Sequence, residues 1–108
     1  MKKSQVFTLI LLSALLGACS QDDWVSLFNG EDLSGWQAAE NPDSWMVENG
    51  ELVTGGPRSH LFYTGVLEQH NFKNFELMLD VKTLPGSNSG IYFHTEYQEE
   101  GWPSKGYE

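Results

Sequence analysis

Trp45-Met46-Val47-Glu48-Asn49-Gly50-Glu51-Leu52-Val53-Thr54 is the stretch that decides the fold class. Two short β-prone runs flank Asn-Gly, the dipeptide best suited to a two-residue turn whose twist matches that of paired strands. A hairpin is predicted there. Towards the C-terminus, Gly55-Gly56-Pro57 breaks the chain before Leu61-Phe62-Tyr63-Thr64. Beyond it, Phe75, Leu77, Leu79 and Val81 alternate with Glu76, Met78, Asp80 and Lys82, the period of a half-buried strand. Pro85-Gly86 ends that run, and Ile91-Tyr92-Phe93-His94-Thr95 begins another. Towards the N-terminus, Trp24-Val25-Ser26-Leu27-Phe28 is a further strand-like run closed by Asn29-Gly30, with a second turn ending in Trp36. Leu67-Glu68-Gln69-His70 has the look of a helical turn, but nothing sustains its period. About six short strands at roughly ten-residue spacing predict an all-β, antiparallel β-sandwich or jelly roll.

A chain of 108 residues allows one domain. Its first eighteen residues are read as a leader: Lys2 and Lys3 precede an apolar run too short to span a bilayer as a helix. The run ends in Leu16-Gly17-Ala18-Cys19, which resembles a bacterial lipobox. That resemblance implies a signal peptide over residues 1–18, a diacylated Cys19 as the new N-terminus, and a membrane anchor. Residues 19–23 form the tether, and residues 24–108 the domain. Ser20 after the cysteine, where inner-membrane lipoproteins carry Asp, implies export to the outer membrane or its periplasmic face in a Gram-negative bacterium.

Cys19 is the only cysteine, which rules out an intrachain disulfide and a cysteine-based zinc cluster. Without the leader, four basic side chains remain against fifteen acidic ones, a net charge of −11. Such a surface argues against nucleic acid, whose backbone binding relies on Lys and Arg. It is compatible with neutral sugars or with metal cations. Three of the tryptophans, Trp24, Trp36 and Trp45, are expected to fill the core of a chain without disulfides. Trp102, in a charged loop, is expected to reach ligand instead.

The polar candidates cluster late. On a strand, Asn88, Tyr92 and His94 share one face, and Ile91, Phe93 and Thr95 the other, buried one. An amide, a phenol and an imidazole on one face make a candidate site, and Tyr107-Glu108 begins a further strand that brings Glu108 toward it. Asp80 and Lys82 share the polar face of their own strand, and Arg58 and His60 follow a Gly-Gly-Pro loop that could rim a cleft. Because the last strand has no closing element after it, the chain reads as the N-terminal part of a longer protein.

With the strands placed, an ordered set of motifs resembles the bacterial 3-keto-disaccharide hydrolase domain family. Val25-Ser26-Leu27-Phe28-Asn29-Gly30-Glu31-Asp32-Leu33-Ser34-Gly35-Trp36 is similar to its "SLFNGxDLSGW". Trp45-Met46-Val47-Glu48-Asn49-Gly50-Glu51-Leu52 is similar to "WxVxDGxL", Asn74-Phe75-Glu76-Leu77 to "NFEL", and Asn88-Ser89-Gly90-Ile91-Tyr92-Phe93 to "NSGIFF". Gly106-Tyr107-Glu108 matches the first half of "GxExQ". The resemblance implies a concanavalin A-like sandwich with a cleft on its concave face, of which this chain is the N-terminal part. One position departs: many members carry Arg after "NSGIFF", where this chain has His94, a titratable imidazole in place of a planar bidentate donor.

The chemistry so implied is cleavage of 3-keto-glycosides and 3-keto-disaccharides by proton abstraction, β-elimination and hydration. It needs a base, an enolate stabiliser and an acid for the leaving oxygen. Glu108 and His94 are the expected catalytic residues, and Asn88, Tyr92, Asp80 and Trp102 the expected substrate contacts. The cofactor is left open; a divalent metal ion is one candidate, with His94 and Glu108 its nearest nitrogen and oxygen ligands. The expected partners are a carbohydrate and, through Cys19, a membrane. The alternative is a non-catalytic carbohydrate-binding module of a surface lipoprotein.

Overall fold

The computed structural model describes residues 23–108. The leader, Cys19 and the tether up to residue 22 lie outside the described residues. The expected hairpin forms. Strand β2 (Trp45–Glu48) pairs antiparallel with β3 (Glu51–Thr54), with Val47 opposite Leu52 and Glu48 opposite Glu51. Asn49 and Gly50 both sit at positive φ, 50° and 78°, as a turn of this hand requires. This hairpin is inserted between the two strands of a second ribbon. There β1 (Trp36–Ala39) pairs antiparallel with β4 (His60–Tyr63), Trp36 opposite Tyr63 and Ala39 opposite His60.

The motif around Asn29 builds the entry to β1. The Asn29 side-chain carbonyl accepts the N–H groups of Glu31 and Asp32, and its amide donates to the Asp32 carboxylate at 2.8 Å. Asp32 in turn accepts the Ser34 N–H, Gly35 takes φ 81°, and the Trp36 indole N–H reaches back to the Leu27 carbonyl at 2.9 Å. The Asn29, Asp32 and Trp36 side chains thus satisfy backbone or neighbours in a tight loop. Residues 24–28, expected as a strand, form no ladder among the described residues.

Two hydrogen-bond chains tie the ribbons together. Ser44 is buried and donates to the Pro57 carbonyl at 2.7 Å. The Trp45 indole donates to Ser59 Oγ at 3.0 Å, and Ser59 donates to the Ala39 carbonyl at 2.7 Å. Ala39 and Ser44 are the residues buried at this junction. Trp36 and Trp45 are half-buried rather than filling a core as expected, and Trp24 is 52% exposed.

Beyond β4 the ladders stop. Residues 67–70 form a short 3-10 turn interrupted by left-handed Glu68 and Gln69. The expected strand over residues 75–82 is extended but unpaired among the described residues, and Phe75, Leu77, Leu79 and Val81 are all exposed. Alternation sets which side chains share a face, but only a facing backbone makes a strand. Of the expected strand around Tyr92, a single bridge forms: Phe93 and Tyr107 exchange both backbone hydrogen bonds, at 2.9 and 3.1 Å, and their rings stack. The described architecture is therefore antiparallel and all-β, with almost no helix.

Candidate functional site

Cross-strand partners point to the same side of a ribbon, so Gln37, Ala39, His60 and Phe62 share one face of β1–β4. Residues 92–102 cover that face. Phe62 meets Tyr97 edge-to-face at 5.1 Å, and Gln37 donates to the Tyr97 hydroxyl at 2.9 Å. His60 meets Trp102 at 5.2 Å and Tyr92 at 6.1 Å between ring centroids, both edge-to-face.

Glu40 holds this arrangement. It follows β1 at φ 65°, a left-handed turn that folds its side chain back over the ribbon, where it is 8% exposed. Oε1 accepts the Arg58 Nε–H at 3.1 Å and the Gly101 N–H at 2.8 Å, and Oε2 lies 3.1 Å from His60 Nδ1. Three donors thus satisfy a nearly buried carboxylate. Arg58 also lies over the Trp102 ring, its guanidinium carbon 5.2 Å from the centroid. The loop that carries Trp102 is braced from within by Gln98, whose amide donates to the Trp102 carbonyl and accepts from Ser104.

Next to His60, the Tyr92 phenol donates to Glu108 Oε2 at 3.1 Å. Partial burial, reinforced by the bond to Glu108 and by its negative charge, lifts the phenol above its ordinary pKa, so Tyr92 is a neutral donor at physiological pH. Glu108 Oε1 lies over Gly90, where any Cβ would collide with the carboxylate. Gly90 is the glycine of the Asn88-Ser89-Gly90 motif, and its missing side chain is what makes room for Glu108.

The structure thus brings Tyr92, Glu108 and Trp102 to one side, with His60, Arg58 and Glu40 among them. His94 stands apart. Its backbone is left-handed at φ 50°, which ends the strand alternation that would have set it beside Tyr92. Its ring packs edge-to-face on Phe75 at 5.5 Å and has no hydrogen bond among the described residues. Asn88 and Asp80 are exposed and make no side-chain hydrogen bond among the described residues. No group of three His, Cys, Asp or Glu side chains converges to hold a metal among the described residues. Glu40 is the residue that sequence reading does not find. It lies in a polar loop, and only the Ala39–His60 register shows that it stands over the histidine.

Residues 23–108 match the model of the 3-keto-alpha-glucoside-1,2-lyase-like domain family. The chain is also 30% identical over 79 residues to a 3-keto-disaccharide hydrolase from Bacteroides thetaiotaomicron. That match covers 67% of this chain and 27% of the relative, so the chain spans little more than a quarter of that protein's length. No solved structure matches it significantly.

Proposed function

The chain belongs to the 3-keto-alpha-glucoside-1,2-lyase-like domain family, and from that premise we propose that the full protein cleaves the glycosidic bond of 3-keto-disaccharides, with Glu108 as the base. A ketone at C3 acidifies the hydrogen at C2. Glu108 takes that proton, the electron pair forms the C1–C2 double bond, and the C1–oxygen bond breaks with its electrons on the leaving sugar. Water then adds hydroxyl at C1 and a proton at C2, which gives two free sugars. The observation that supports this reading is the seating of Glu108. Tyr92 holds Oε2, while Oε1 lies over Gly90 with no partner among the described residues. One carboxylate oxygen is thereby oriented and the other left for a substrate proton.

In this reading Trp102, 54% exposed and with Arg58 over one face of its ring, offers the other face to a pyranose. The ribbons β1–β4 and β2–β3 belong to the two-sheet, concanavalin A-like jelly roll expected from the motifs. Leu16-Gly17-Ala18-Cys19 marks export and lipidation, so replacing Cys19 with Ala is expected to move the protein from the membrane to the soluble fraction.

The test offers oxidised and unoxidised disaccharides to the full-length protein. Only the 3-keto sugar should be cleaved, and Glu108→Gln should lower kcat by about 10²–10⁴-fold, the range of a lost general base. Wild-type turnover of neither sugar overturns the proposal. Affinity without turnover, lost in Trp102→Ala, would instead establish the binding-module reading that the exposed indole favours.

A further inference from the structure

We propose that His60, oriented by Glu40, is the proton donor to the leaving sugar in this site, an inference that rests on the 3-keto-glycoside reading above. Glu40 Oε2 stands 3.1 Å from Nδ1. A carboxylate acceptor there keeps a hydrogen on Nδ1 and fixes the ring's rotation, so any second proton is carried and released at Nε2. Nε2 has no hydrogen-bond partner among the described residues, yet it is not sealed from solvent, although the His60 side chain is only 12% exposed. An imidazole gripped at one nitrogen and open at the other is poised for proton transfer rather than for packing alone.

Position points the same way. His60 meets both the Trp102 ring and the Tyr92 ring, and the Tyr92 hydroxyl is on Glu108. The histidine and the proposed base are therefore linked through a shared contact with Tyr92. The charged and titratable groups around His60 are Glu40 from the end of β1, Arg58 on the far side of that carboxylate, and Tyr92 from the covering segment. Arg58 is held on Glu40 Oε1 and over Trp102, which leaves Glu40 Oε2 to face His60.

The proton inventory closes over one turnover. The His60 imidazolium gives its Nε2 proton to the glycosidic oxygen as the C1–oxygen bond breaks and Glu108 takes the C2 proton. The neutral imidazole then removes a proton from the water that attacks C1, while Glu108 returns its proton to C2. Both residues end as they began. Glu40 touches no reacting atom and is a positioning residue.

Leaving-group dependence tests this in the full-length protein. A sugar leaves as a strongly basic alkoxide unless protonated, whereas 4-nitrophenol leaves without help. In single-turnover measurements of leaving-group release, which read the elimination step apart from the later hydration, His60→Gln is expected to slow release from a 3-keto-disaccharide by about 10²-fold or more, the usual contribution of a general acid, and to change release of 4-nitrophenol from a 4-nitrophenyl 3-keto-glucoside by no more than a few-fold. Glu40→Gln should show the same selectivity to a smaller degree, and Glu108→Gln should impair both substrates. An equal loss on the two substrates, or none on either, overturns the role of His60 while leaving that of Glu108 standing. If His60→Gln does not fold, Glu40→Gln and His60→Asn carry the same comparison. Absence of wild-type cleavage of both substrates overturns the 3-keto-glycoside reading and this inference together.

Discussion

Val47 and Leu52 face each other across a two-residue turn and are half-buried, whereas Leu77 and Leu79, in an equally regular alternation, stand about half exposed with no strand beside them among the described residues. The contrast separates two regions of the molecule. Residues 24–66 hold both ladders, and the turn from Asn29 to Ser34 is satisfied by its own side chains. Residues 71–108 hold one isolated bridge and are anchored through side chains instead. The difference is one of contact range. Asn49-Gly50 delivers a partner strand within two residues, so closing the loop costs little entropy, while an apolar run without such a turn depends on a distant backbone. The candidate site lies where the regions meet, with His60 and Glu40 from the first and Tyr92, Trp102 and Glu108 from the second.

Removing the joint between the regions should have the largest effect. Glu40→Ala strips the acceptor from Arg58, His60 and the Gly101 N–H at once. Loss of a nearly buried, charge-assisted set is expected to cost about 2–3 kcal/mol, read by urea denaturation of the full-length protein. Hydrogen exchange should show faster opening of residues 98–104, with residues 45–54 unchanged. Equal loosening of both would mean that the two regions are a single cooperative unit.

A smaller effect sharpens the contrast at matched glycines. Gly50 and Gly86 both sit at positive φ, 78° and 84°. Keeping an alanine left-handed costs about 1–2 kcal/mol. At Gly50 the β2–β3 ladder enforces that geometry, and Gly50→Ala should show most of the cost. The turn at Gly86 closes no ladder, and a methyl group added there would meet nothing within 4 Å. It can relax, and Gly86→Ala should cost less than half as much. The check is the pair of denaturation midpoints; equal losses would show that residues 84–87 are held as rigidly as the hairpin.

The same contact range explains what is legible in the sequence. The Asn49-Gly50 hairpin and the turn before Trp36 are readable because each is specified by neighbours within a few residues. Tyr92, Glu108 and Trp102 stand out through strand parity, a matched motif and a charged loop, and they do fall on one side. Their grouping, however, comes from the pairing of β4 with β1, which no local signal announces. Only an unbroken strand would set His94 beside Tyr92, and its left-handed backbone turns it onto Phe75 instead. Glu40 is invisible for a similar reason: its importance follows from the 3.1 Å approach to a histidine twenty residues away. Buried polar ties between distant residues leave no periodic trace in a sequence, and this site is made of them.

The smallest effects should set the two regions at opposite ends of the pH scale. In the first, the Ser34 hydroxyl, with the Asn29 amide and the Ser34 N–H, holds the Asp32 carboxyl below its ordinary pKa. A folded-state pKa below the unfolded one stabilises above about pH 4 and loses that contribution as pH falls through the folded value. Asp32→Asn should therefore flatten the acid limb of the stability profile. In the second region the Glu96 carboxylate, 2.8 Å from Lys105 Nζ, raises the lysine pKa, and partial burial with Glu108 raises that of Tyr92. Raised values have the opposite sign: the stabilisation is complete below about pH 10 and is lost as pH climbs through the folded values. Lys105→Met and Tyr92→Phe should flatten only the alkaline limb. These groups are solvent-accessible, so the changes will be slight and will shrink in high salt. Urea midpoints across the pH range, with and without added salt, separate the limbs. An alkaline change in Asp32→Asn would break the assignment, because its carboxylate has no proton left to lose there.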